Sequence, residues 1–151
     1  MTHSERLAEL GLILPAVAAP VAAYVPTSRT GDLVFTSGQL PFVDGSLPRT
    51  GRVGAEVDAE DAAADARQCA LNGLAAVHAA VGIDNVVRVV KVVGFVASAA
   101  GFNGQPAVIN GASDLLGEVF GEAGRHARSA VGVAELPLGA PVEVELIVEV
   151  R

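Results

Sequence analysis

The sequence predicts an α+β protein, a mixed β-sheet with two main helices packed on one face. Three observations predict it. Residues 142–150, VEVELIVEV, alternate apolar and polar positions, the period of a strand with one buried face. Residues 58–82 repeat apolar side chains at steps of three and four, the period of a helical face. The remaining signals complete the order strand, helix, strand, helix, strand, strand, for which two helices on one face is the economical packing.

The elements follow in chain order. Residues 3–10 can form a short helix with Leu7 and Leu10 on one side and Gly11 as its stop. Residues 1–23 read as an N-terminal extension, and Pro15, Pro20 and Pro26 favour an extended path. Residues 31–38, GDLVFTSG, read as a strand entered from a turn, with β-branched and aromatic residues at 33–36. Residues 40–54, rich in Gly, Pro, Asp and Ser, read as a loop or hairpin.

Asp58 opens the clearest helix, with Glu60 and Asp61 placing negative charge where unpaired N–H groups favour it. Ala66, Ala70, Leu74, Val77 and Val81 mark its buried face, and Gly82 ends it. Residues 86–96 are nearly continuous valine, which predicts a central strand covered on both faces. Arg88 and Lys91, three apart, fall on opposite faces of a regular strand. Pro106 suits the first turn of a second helix, whose stripe is Ile109, Ala112, Leu116, Val119 and Phe120. Residues 128–134 are a further strand. In the last strand Val142, Val144, Leu146, Val148 and Val150 face one way, and Glu143, Glu145, Ile147 and Glu149 the other.

Composition narrows the function classes. At 151 residues, without a linker or repeat, the chain reads as one domain, residues 1–151. Half of it is apolar, 51%, which excludes global disorder. The net charge of −7, with no Trp and one Tyr, argues against a nucleic-acid partner, which needs a basic patch or stacking aromatics. One cysteine, Cys69, allows no intramolecular disulfide and no cysteine metal cage. His3, His78 and His126 lack paired ligand spacing, so no metal is expected. No phosphate-binding glycine loop is present, and GASDL at 111–115 lacks the second glycine of a serine-hydrolase elbow. No cofactor is expected. The apolar stretch 10–25 imitates a signal peptide, but Glu5, Arg6 and Glu9 before it are not net positive, and Pro15 and Pro20 interrupt it. It is also too short to span a membrane. A cytoplasmic protein without a membrane partner is the expectation.

Four blocks resemble a known family: TSGQLP at 36–41, ARQCALNGLAAVHAAVG at 66–82, RSAVGVAELP at 128–137 and VEVELIVEV at 142–150. Their order and spacing resemble the reactive intermediate deaminase (Rid) superfamily, also called the YjgF or L-PSP endoribonuclease family. The resemblance runs from about residue 24 to residue 150. It implies a chorismate-mutase-like sheet with helices on one face, a homotrimer with a central barrel core, and sites in clefts between subunits. It also implies hydrolytic deamination of enamines and imines of the 2-aminoacrylate type, giving 2-keto acids and ammonia.

Residue by residue, the resemblance places Arg128 as the substrate's carboxylate clamp. A guanidinium holds a carboxylate through two parallel charge-assisted bonds, and small neighbours at Ala130, Gly132 and Ala134 leave room over it. An arginine paired with an interface carboxylate is the plainer reading of the residue alone. Glu143 matches the family's acid, placed to move a proton or orient water. Alternatively it is one of three solvated glutamates on its strand face. Tyr24 matches a tyrosine near the cleft, or packs the N-terminal segment. Ser37 and Gly38 fall at a strand end suited to a backbone or hydroxyl contact. Asn110 points into the cleft or satisfies a nearby backbone group. Ala130 stands where many members have cysteine, and the family's mechanism uses that position's backbone carbonyl to hold water. A thiol role there is therefore excluded. Cys69 reads as a small buried residue. His126, outside the signature, shares a face with Arg128 on a continued strand. It is a local acid or base, or more often a satisfied strand-end histidine.

The chain departs from the family at residues 97–109 and in its longer N-terminus, and RHARSAVGVAELP resembles a less studied branch. These departures bear on substrate more than on fold. Competing functions are a non-catalytic binding module for small carboxylate metabolites, and an endoribonuclease or translation inhibitor, which the charge disfavours. A chorismate mutase needs more cations around a dicarboxylate than can be assigned.

Overall fold

The structure is a computed structural model describing residues 1–17 and 22–151, so Pro20 lies outside the described residues. Its elements are α1 (His3–Glu9), β1 (Thr27–Thr30), β2 (Leu33–Thr36), α2 (Ala59–Val81), β3 (Val86–Ala97), α3 (Gln105–Phe120), β4 (Ala127–Val133) and β5 (Val142–Val150). The five strands form one mixed sheet in the order β1-β2-β5-β3-β4. Only β3 and β4 are parallel, joined by the α3 crossover, and the other pairs are antiparallel. The two long helices cover one face, as the sequence order predicts.

β5 supplies the register. Val142, Val144, Leu146, Val148 and Val150 are all buried, while Glu143, Glu145, Ile147 and Glu149 are half-buried on the other face. α2 is capped by Asp58, whose carboxylate accepts from the Asp61 N–H at 2.7 Å. α2 and α3 pack very closely at Gly111, where a Cβ would collide with the Ala63 carbonyl. α3 seats on β3 at Gly94, where a Cβ would lie 2.5 Å from Ile109 Cδ1. Glycine at these two positions therefore sets the height of α3 above the sheet, and α3 carries half of the candidate site.

α1 extends further into the fold than a loose extension. Thr2 and Glu5 close a capping box. Ser4 binds Asp84 through its backbone N–H at 2.8 Å and its hydroxyl at 2.7 Å, and Leu7 is buried. The 40–54 segment is an ordered loop with a Val43–Ser46 bridge. Asn72 of α2 donates to the Leu40 and Phe42 carbonyls at 3.0 and 3.1 Å, pinning it.

Three expectations are corrected. The 31–38 strand is one arm of a hairpin: β1 pairs with β2 through a turn at Gly31, whose φ of 56° suits glycine. The polar sequence TSRT hides β1, because an exposed edge strand carries no apolar alternation. Arg88 and Lys91 share a face. Register shifts between Val86/Arg88 and Val89/Lys91 reset the alternation, so Arg88 pairs with Glu149 and Lys91 with Ile147, both on the face away from the helices. Lastly, β3 is covered on one face only within this chain. Val86, Val89, Val92 and Val96 are buried, whereas Val93 and Phe95 are half-buried and Val87 is exposed.

Candidate active site

The named site residues fall into two groups. The first gathers around Arg128. Near the start of β4, Arg128 pairs with the buried Val92 and projects over the helix-covered face. Its Nη1 donates to Asn110 Oδ1 at 2.8 Å and to Ser113 Oγ at 3.2 Å, both on α3 and three residues apart. Nη2 reaches the Pro106 carbonyl only at 3.5 Å. Nε donates to nothing among the described residues, so the Nε–Nη2 edge is the available fork. Ala130 and Gly132 follow on the same face, in register with Gly94 and Val96. A Cβ at Gly132 would sit 2.8 Å from Gln105 Nε2 and 3.0 Å from Ser98 Oγ, so the small residue keeps this strip low. Ala134 lies beyond the end of β4.

Sequence reasoning missed one member of this group. Ser113 contacts both Arg128 and His126, whose Nε2 lies 2.8 Å from the Ser113 hydroxyl. His126 Nδ1 lies 2.6 Å from the Gly124 carbonyl. His126 and Arg128 do lean toward the same helix. The i, i+3 spacing of Asn110 and Ser113 was the available signal, but it becomes legible only once α3 is known to lie over β4.

The second group gathers around Glu143. Glu143 pairs with Phe95 on the opposite face of the sheet. Its carboxylate lies against Gly38, where a Cβ would overlap Oε1. No hydrogen bond holds that carboxylate among the described residues. Burial, with the like charge of Glu145 adding to it, raises Glu143 above the usual carboxylate range. Gln39 and Val144 exchange backbone bonds at 2.8 and 3.0 Å, which fixes Gly38 beside β5. Ser37 donates its hydroxyl to the Val25 carbonyl at 2.6 Å and its N–H to the Pro26 carbonyl at 2.8 Å. Tyr24, 45% exposed, precedes these anchored residues.

Cys69 belongs to neither group. It is fully buried under β5, with Sγ 3.9 Å from the Val142 carbonyl, and burial raises its thiol far above the ordinary range. Such a thiol is a neutral packing group and not a nucleophile.

A family model described as "YjgF/chorismate mutase-like, putative endoribonuclease" matches residues 4–150. Among curated relatives, protein TCP17 of Trypanosoma cruzi is 49% identical over 147 residues, covering 96% of this chain and 92% of that protein. The 2-iminobutanoate/2-iminopropanoate deaminase of Salmonella typhimurium is 39% identical over 131 residues, covering 85% and 88%. A crystal structure of a protein of unknown function from Agrobacterium tumefaciens superposes with a TM-score of 0.91 at 48% identity, covering 99% of this chain and 94% of that one. TdcF of E. coli, solved with bound serine, superposes with a TM-score of 0.64 at 29% identity, covering 90% and 93%.

Proposed function

Because the chain belongs to the YjgF/chorismate mutase-like family, we propose that it hydrolyses reactive enamines and imines of the 2-aminoacrylate type to 2-keto acids and ammonia. The observation that carries this reading is the arrangement at Arg128. Nη1 is held by Asn110 and Ser113, and the Nε–Nη2 edge is left for a planar carboxylate. The Salmonella relative, whose name specifies 2-imino acids, supports the substrate class.

The chemistry needs few groups. The enamine accepts a proton at its methylene carbon and becomes an iminium. Water attacks the iminium carbon and gives up a proton. A proton then passes from the new hydroxyl to the amine nitrogen. An oxygen electron pair forms the keto C=O, and the carbon–nitrogen bond breaks with its electron pair leaving on the nitrogen as ammonia. Arg128 fixes the carboxylate, and so the iminium carbon, relative to the water. Glu143, raised by burial, is suited to hold the first proton and, once ionised, to take one from water. Tyr24, Ser37 and Gly38 would wall the cleft on the Glu143 side, and the Ala130 carbonyl would help hold the water. Arg128 and Glu143 face away from each other within one chain, so the working site is read as lying between subunits of a homotrimer. Neither a metal nor a cofactor enters the scheme.

The test is keto-acid formation from freshly generated 2-imino acids. An amino-acid oxidase makes them and semicarbazide competes for them. Wild type should accelerate hydrolysis and Arg128→Ala should not. A well-folded wild type that accelerates no member of the panel, yet binds pyruvate, would leave the non-catalytic carboxylate-binding module as the function.

A further inference from the structure

Resting on the reading of Arg128 as the carboxylate clamp, we infer that Ser113 and His126 are positioning residues. They fix the hydrogen-bond polarity behind the guanidinium and so aim its Nε–Nη2 edge at the substrate. The donor and acceptor roles follow from the chemistry of each group. The Gly124 carbonyl only accepts, so His126 donates to it from Nδ1–H across 2.6 Å. In the neutral ring Nε2 is then an acceptor, and it takes the Ser113 hydroxyl proton across 2.8 Å. With that proton committed, Ser113 Oγ presents only lone pairs, one of which accepts Arg128 Nη1–H at 3.2 Å. Asn110 Oδ1 also accepts from Nη1, at 2.8 Å.

Nη1 is thus engaged by two acceptors on α3. A ligand therefore meets the opposite edge, where Nε–H and one Nη2–H run parallel with the spacing of a carboxylate. The chain of bonds runs in one direction, from guanidinium to hydroxyl to imidazole to backbone carbonyl, and each donor strengthens the next. Ser113 without His126 could turn its proton toward Nη1 and repel it. A protonated ring would reverse the Ser113 bond and bring a second cation behind the guanidinium. Neither residue reaches the fork, so both act through Arg128.

The test combines a spectroscopic readout with kinetics. In arginine-15N-labelled protein, the Arg128 Nη1 protons should be resolved from Nη2 because rotation about Cζ–Nη1 is hindered. Ser113→Ala should collapse them, and Ser113→Thr should restore them. For the imino-acid substrate, Ser113→Ala and His126→Phe should raise KM about three- to tenfold, with kcat nearly unchanged, and should weaken pyruvate binding by a similar factor. Ser113→Thr and His126→Gln, which keep a hydroxyl and an acceptor, should recover most of the loss. The inference is overturned if wild-type Nη1 rotates as freely as in Ser113→Ala, or if the alanine and threonine variants bind pyruvate alike. A failure of the clamp reading looks different: the wild type then neither turns over imino acids nor binds pyruvate, whatever the Nη1 spectrum shows.

Discussion

Arg128 and Glu143 stand on opposite faces of one sheet. Both register against β3, Arg128 with Val92 and Glu143 with Phe95, and no bulge interrupts residues 92–95. The three-residue offset along a regular strand therefore reverses the side chain's direction. They are also separated by the width of β3, about 10 Å from β5 to β4. One chain alone cannot close both groups on a small substrate.

Complementation follows from that geometry. Arg128→Ala and Glu143→Gln should each be inactive alone. Unfolded together at equal amounts and refolded, they should regain activity. A junction works when the Glu143→Gln copy supplies Arg128 and the Arg128→Ala copy supplies Glu143, so random mixing in the proposed cyclic trimer should restore about a quarter of wild-type activity. A mixture as inactive as its parts would show that no site is shared between copies.

Glu143→Gln should separate catalysis from binding and carry a stability signature as well. Loss of a group that moves protons costs roughly two to four orders of magnitude in kcat, while pyruvate affinity changes little. The carboxyl is raised in the folded chain by burial and by Glu145. The folded state thus holds this proton more tightly than the unfolded state, and stability falls as pH rises from the unfolded pKa through the folded one. Glutamine removes that loss. The variant should melt above wild type at pH 7, with the gap closing as the pH is lowered toward the unfolded carboxylate value. Thermal melts across that range check it.

Much of the fold was legible because burial imposes a period. β5 alternates without a break, and α2 and α3 keep their apolar stripes. What the sequence hid has physical reasons. β1 is a polar edge strand with nothing to bury. The bulges in β3 arise from its pairing with β5, so the shared face of Arg88 and Lys91 is a property of two strands and not of one. The candidate site divides in the same way. The family motifs pointed to Arg128 and Glu143. Only the register between strands reveals that they belong to two faces, and only the placement of α3 over β4 brings Ser113 to Arg128.

Arg49→Ala should unfold the protein more readily, and more so at neutral than at acid pH. Arg49 Nη1 lies 2.6 Å from Asp65 Oδ1 and also donates to the Asp61 carbonyl at 2.9 Å, tying the 40–54 loop to α2. The Asp65 side chain is only 4% exposed, while Arg49 is 33% exposed. Burial raises Asp65 even though Arg49 opposes it. Without Arg49 a buried carboxylate has no partner, a cost of roughly 2–4 kcal/mol once the exposure of the arginine is discounted. Protonation relieves that cost, so the penalty should shrink as pH falls through the raised Asp65 value. Adding Asp65→Asn to Arg49→Ala should recover much of the loss at pH 7. Urea unfolding from pH 7 down through the acid range measures both, and a penalty that does not shrink as the carboxyl protonates would count against an unpaired buried charge.

Gly38→Ala tests whether the position of Glu143, and not merely its presence, matters. Gly38 has no positive φ, so alanine suits its backbone. The new Cβ would overlap Glu143 Oε1, the far end of a side chain that nothing else among the described residues holds. That carboxylate can swing aside at little cost, so stability should change by less than about 1 kcal/mol. The displaced group no longer meets the substrate from the same direction, and misplacement by about 1 Å can cost a hundredfold. The expected result is a fully folded variant with unchanged melting temperature, nearly unchanged pyruvate binding and a kcat reduced at least tenfold. If Gly38→Ala turns over 2-imino acids like wild type, the Glu143 carboxylate need not stand beside Gly38 for the reaction to run.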